Sequence, residues 1–89
     1  MTKTDMAWRF INRKPGRCHN AHTDGTVYVL HESPIAKWVD DQVQFYWHGY
    51  YTTTTAAHMN EILRALGAGF RVSYAAARDS KATHFVWEA

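Results

Sequence analysis

The stretch Gln42–Leu66, QVQFYWHGYYTTTTAAHMNEILRAL, changes its apolar period near its middle, and that change decides the fold class. In Gln42–His48 the apolar residues Val43, Phe45 and Trp47 alternate with Gln42, Gln44, Tyr46 and His48. A period of two is that of a strand with one face in the core. Beyond His48-Gly49 the pattern lengthens. Met59, Ile62, Leu63 and Leu66 fall at i, i+3, i+4 and i+7, a single apolar stripe that predicts a helix over about 55–66. The run Thr52–Thr55 lies where the two periods meet. Its hydroxyls suit a helix N-cap, with Thr54 the first choice and Thr55 the next, and Gly67 or Gly69 suits the helix end.

Upstream, Thr26–His31 and Ile35–Val39 are rich in β-formers and read as two more strands. Ser33-Pro34 breaks the first and Asp40-Asp41 turns the chain after the second. Downstream, Phe70–Tyr74 alternates and predicts a strand, Ala75–Lys81 a turn or helical bend, and Thr83–Trp87 a last strand. Met6–Ile11 is apolar but too short to choose between strand and helical turn. Met1–Asp5 is expected to fray, and Asn12–Gly25 reads as one long loop because Pro15, Gly16, Asn20, Asp24 and Gly25 punctuate it. The expectation is one α+β domain spanning 1–89. A small antiparallel sheet in the order β-β-β-α-β-β, with room for one extra N-terminal strand, packs against a single helix.

Eighty-nine residues support one core and no more. Thirteen aromatics (four Trp, five Tyr, four Phe) are an efficient way to build it, and some of them are expected outside as binding anchors. The net charge is +2, unevenly spread. Residues 1–17 carry Lys3, Arg9, Arg13, Lys14 and Arg17 against Asp5, a net of +4, which leaves −2 for the remainder. A lone Cys18 excludes an intrachain disulfide. No signal-like segment and no apolar run near ~18 residues is visible, so the expected location is a reducing cytosol, with no membrane contact.

Six histidines invite a metal reading, and Cys18, His19 and His22 lie close together. Closed zinc sites need a second ligand cluster, and none follows; Ile62 stands four residues after His58. Neither a nucleophile elbow, a working carboxylate pair nor a glycine-rich phosphate loop can be found. No catalytic residue, metal site or cofactor is therefore expected.

Binding remains. Trp8, Trp38, Tyr46, Tyr50 and Tyr51 are the candidate anchors for a partner protein. Arg9, Arg13, Lys14 and Arg17 are the candidates for nucleic acid, with Tyr46, Tyr50 and Tyr51 as a stacking platform. Thr53, Thr54, Thr55 and Asn60 are read as a clasp between strand and helix, Asn60 pinning the helix to a neighbouring strand or to the threonine segment, since an asparagine amide donates and accepts together. The same helix start also suits an anion.

Leu30-His31, Ile35-Ala36, His48-Gly49-Tyr50-Tyr51 with Thr52–Thr55, and His58-Met59-Asn60-Glu61-Ile62-Leu63 resemble a pattern in small uncharacterised bacteriophage and prophage proteins. The similar region covers about two-fifths of the chain. Where that family usually carries glycine after the Leu-His pair, this chain has Glu32. The resemblance implies a phage origin and no assigned reaction. The expected function is a non-enzymatic accessory protein that binds and inhibits or redirects a host protein, such as a host defence complex. The alternatives are a nucleic-acid binder and a structural homodimer using the sheet edge or its aromatic face.

Overall fold

The computed structural model describes residues 1–89. The chain is α+β. A six-stranded sheet runs in sequence order, every neighbouring pair antiparallel, with three helices. In chain order the elements are α1 (Lys3–Ile11), β1 (Gly16–Cys18), β2 (Ala21–Thr23), β3 (Val27–Leu30), β4 (Ser33–Val39), β5 (Gln42–Tyr46), α2 (Thr53–Ala65), α3 (Tyr74–Ser80) and β6 (His84–Glu88). The helices cover one sheet face. α1 lies over β1 and β2 and packs on α2, α2 reaches β4, and α3 packs on α2.

The alternation of β5 places Val43, Phe45 and Trp47 in the core, as their spacing requires. Tyr28, Leu30 and Ala36 join them from β3 and β4. Ile35 and Ala36 are adjacent yet both buried, because the β3–β4 register shifts at Tyr28/Val29 and leaves Ile35 without an opposite residue. From α2, Met59, Ile62 and Leu63 complete the core. The opposite sheet face has no helix on it. It carries Arg17, His22, Val29, Lys37, Gln44, Tyr46 and Val86, a mixed surface.

Several expectations need correction. Residues 3–5, expected to fray, form the first turn of α1. Thr2 and Asp5 form a capping box, Thr2 Oγ1 accepting from the Asp5 amide at 3.2 Å and Asp5 Oδ2 accepting from the Thr2 amide at 3.0 Å. These bonds also hold the Asp5 carboxyl below the ordinary carboxylate range. Met6–Ile11 is accordingly helical, burying Met6, Ala7 and Phe10, and no extra strand precedes the sheet.

The loop predicted over 12–25 contains the hairpin β1–β2. Its strands are too short to show a period, and they form because Ala21 pairs with Leu30 and Thr23 with Tyr28. Asp24 Oδ1 accepts from the amides of Thr26 and Val27, closing the next turn. Gly25 has φ +98°, and a Cβ there would fall 2.5 Å from the Arg13 carbonyl oxygen, so only glycine fits. β3 and β4 are joined by His31 (φ 49°) and Glu32 (φ 67°), a pair of left-handed residues as a type I′ hairpin demands. Glu32 meets that demand with a Cβ penalty that glycine would not carry.

Phe70–Tyr74 is not a strand. β6 takes the edge of β5, and residues 70–73 pair with no strand. Asn60 supplies what a strand would have supplied. Its Nδ2 donates to the Val72 carbonyl at 2.9 Å and its Oδ1 accepts from the Val72 amide at 2.7 Å. Ser73 then caps α3, its hydroxyl accepting from the Ala76 amide.

The N-cap of α2 is Thr52, neither Thr54 nor Thr55. Its φ/ψ are extended and its hydroxyl accepts from the Thr55 amide at 3.2 Å. The helix starts earlier than the apolar stripe, which begins a turn further on, so the stripe alone misplaces the cap. α2 closes with Gly67 in the left-handed region, the Gly67 amide donating to Arg64 and the Ala68 amide to Leu63. Thr52→Ala is expected to lower stability by about 1 kcal/mol and Thr54→Ala by less than ~0.5 kcal/mol. Urea midpoints of the two variants check this ranking; equal shifts would refute the cap assignment.

Candidate protein-binding surface

α1 buries Met6, Ala7 and Phe10, so Trp8 is turned away from the core, and it is 57% exposed. It borders a shallow depression of about 530 Å³ lined by Met1, Asp5, Trp8, Arg9, Asn12 and Lys14. The Asp5, Arg9 and Asn12 side chains around it are hydrogen-bonded, and Lys14 is tied through its backbone. The Asn12 side-chain Nδ2 donates to the Trp8 carbonyl at 2.8 Å, at the helix end. The Arg9 stem lies across Gly16, where a Cβ would come within 2.6 Å of its Cδ. The Arg9 guanidinium donates to the Pro15 carbonyl at 3.1 Å, and the Lys14 amide donates to the Arg9 carbonyl at 2.8 Å. Three of the predicted residues, Trp8, Arg9 and Lys14, thus meet on one surface with a large apolar group and two cations. An exposed indole ringed by ordered polar groups has the anatomy of an interface anchor.

The other predicted anchors separate. Trp38 is half-buried: its indole Nε1 donates to the Phe10 carbonyl at 2.9 Å, and its ring stacks on Phe10 with centroids 6.0 Å apart. Trp87 meets it edge-on at 6.4 Å. The Arg13 guanidinium lies 4.3 Å from the centre of the Trp38 ring and donates to the Asp40 carbonyl at 2.7 Å. Trp38 and Arg13 therefore latch α1 to the β4–β5 hairpin. Tyr51 donates to the Ala82 carbonyl at 2.6 Å and leans on Trp47, tying the start of α2 to the approach of β6. Tyr46 lies on the helix-free sheet face, its hydroxyl donating to Gln44 and its ring tilted against His48. Arg17 shares that face, opposite His22 in the β1–β2 register.

Tyr50 is 57% exposed and stands apart from Trp8. It lines a second depression of about 350 Å³ with Leu30, Ile35, His31, Ser33 and the threonines Thr52, Thr54 and Thr55. Thr55 is buried there, bonded to the Thr52 hydroxyl at 3.0 Å, while Thr53 and Thr54 are exposed. The four threonines thus divide into a cap, a buried partner and two surface residues. Asn60 makes its clasp to Val72 and not to the threonine segment.

One feature is invisible in sequence. Tyr28 and His58, 30 residues apart, meet inside the fold, the phenol oxygen and Nδ1 sharing a hydrogen bond of 2.6 Å. Burial pushes the His58 imidazole down to about 4, with Lys3 and His31 nearby adding to the effect, and burial raises the Tyr28 phenol. The pair is therefore neutral at pH 7 and satisfies two polar groups inside the core. No three His, Cys, Asp or Glu side chains gather as a metal-holding group, and no helix is long and apolar enough to cross a membrane. No protein-family model matches the chain, and no curated protein and no solved structure is significantly similar to it.

Proposed function

We propose that this chain is a non-enzymatic, phage-type accessory protein that works in the host cytoplasm by binding a host protein, docking through Trp8, Arg9 and Lys14. The observation that carries this reading is the exposed Trp8 beside a guanidinium already fixed on Pro15. A guanidinium fixed before binding loses little entropy on docking. The flanking cations favour an acidic partner surface and speed encounter with it. The resemblance to small phage proteins supports a host target, with a defence complex as the leading class.

The test is capture of partners from nuclease-treated bacterial lysate, followed by affinity measurement with the captured protein. Trp8→Ala is expected to weaken binding by roughly thirtyfold or more, the scale of an interface hot spot, while leaving the melting temperature nearly unchanged. Undiminished binding by Trp8→Ala would refute the docking site.

A second reading, nucleic-acid binding, is favoured by the exposure of Arg9, Lys14 and Arg17 around the N-terminal hairpin. It predicts that affinity for a single-stranded oligonucleotide falls steeply with salt as counterions are released. Loss of every protein partner after nuclease treatment would select this reading over the first.

A further inference from the structure

β6 is the outer strand of the sheet, and the phase of its backbone is set by its neighbour. The Trp47 amide donates to the Thr83 carbonyl at 3.0 Å, and Phe45 lies opposite Phe85 and Val43 opposite Trp87. Antiparallel partners exchange hydrogen bonds at alternate positions, so Thr83, Phe85 and Trp87 turn their backbone toward β5. His84, Val86 and Glu88 therefore turn their amides and carbonyls outward, and no backbone bond outside the sheet ladder engages them. No proline, lysine or bulge lies within His84–Glu88, and the one charge on this edge is Glu88 at its end. Val86, at its centre, is 39% exposed.

We propose that two copies of this chain pair through β6, antiparallel about a two-fold axis at Val86, to form one continuous sheet. Of the symmetric registers, this one alone uses all three outward-facing residues. Val86 faces Val86 of the partner subunit, and His84 faces Glu88 of the partner subunit at both ends, giving about six backbone hydrogen bonds. The side chains match as well. On the helix-free face an aliphatic pair sits between two imidazole–carboxylate pairs of complementary polarity. On the helix face Phe85 lies beside Trp87 of the partner subunit. A groove of about 340 Å³, lined by Phe70, Val72, Ala76, Ala77 and Phe85, adjoins that edge, and the added aromatic extends over it. A shift of two residues either way would set Val86 against a polar residue and leave outward amides unpaired. This interface uses none of the residues of the Trp8 surface, so the two proposals stand or fall separately.

The test is sedimentation of the full chain across a concentration series. A dimer is expected at micromolar concentration. Val86→Lys places two ammonium groups against each other at the axis and should raise the dissociation constant about tenfold or more, with the melting curve of the monomer retained. Glu88→Lys should weaken the dimer, and adding His84→Glu should restore it, because the two substitutions re-form opposite charges only in this register. A chain that stays monomeric up to about 100 μM overturns the proposal. So does a dimer that Val86→Lys leaves intact, or a double variant no tighter than Glu88→Lys alone.

Discussion

Phe45→Ala is expected to leave the chain largely unfolded at 37 °C. Phe45 has no exposed surface, and its ring stacks face to face on Phe85 with centroids 4.6 Å apart and planes 3° from parallel. Removing a buried phenyl ring costs about 3–5 kcal/mol through lost transfer energy and the cavity left behind. A domain of this length has a total stability on the order of 5 kcal/mol, so one substitution removes most of it. The loss is also directed. Phe85 is the inward-facing anchor of β6, whose connection to β5 runs through both α2 and α3. Phe45→Leu, which retains most of the volume, should cost ~1.5 kcal/mol or less and keep the fold. Far-UV circular dichroism and urea midpoints distinguish the two. A Phe45→Ala variant within ~1 kcal/mol of the parent would mean that the Phe45–Phe85 stack is not a main support of the sheet.

Acidification from pH 7 to pH 4 is expected to destabilise the chain by up to ~3 kcal/mol through His58 alone. His58 is only 8% exposed, and in the fold its imidazole titrates at about 4 against 6.5 for the free group. As pH falls through 6.5 the unfolded chain takes up the proton and the folded chain does not, so protons favour unfolding. Below about 4 both states are protonated at this site and its contribution levels off. Lys3 and His31 depress the imidazole further, and the Glu61 carboxylate opposes them. His58→Gln removes the titration and should flatten the stability profile between pH 6.5 and 4, at some cost at pH 7 from disturbing Tyr28. A His58→Gln variant as acid-sensitive as the parent would assign the acid response to other groups. An NMR titration of the His58 ring checks it directly: its resonances should remain those of the neutral form at pH 5.5.

Much of this molecule could be read from local pattern. The alternation of Val43, Phe45 and Trp47 and the stripe of Met59, Ile62 and Leu63 specify a half-buried strand and an amphipathic helix, because burial of one face imposes its period on the chain. Trp8, Arg9 and Lys14 were nameable as binding candidates by residue type, and Asn60 as a clasp by its ability to donate and accept. The rest depended on partners far away in sequence. Residues 21–23 form a strand because β3 offers them an edge, and residues 16–18 because β2 does; residues 70–73 alternate equally well, but their backbone at Val72 is taken by Asn60. The helical Lys3–Ile11 rests on the Thr2–Asp5 capping box and on burial against α2, neither of which produces a period in so short a segment. Five aromatics that look alike in sequence divide into exposed Trp8 and Tyr50 and the half-buried Trp38, Tyr46 and Tyr51, since what separates them is whether another part of the chain lies within reach of the ring. Local pattern decides which face of a segment is apolar. Hydrogen-bond and contact partners brought together by the folded chain decide which segments find an edge, and which side chains remain free to bind.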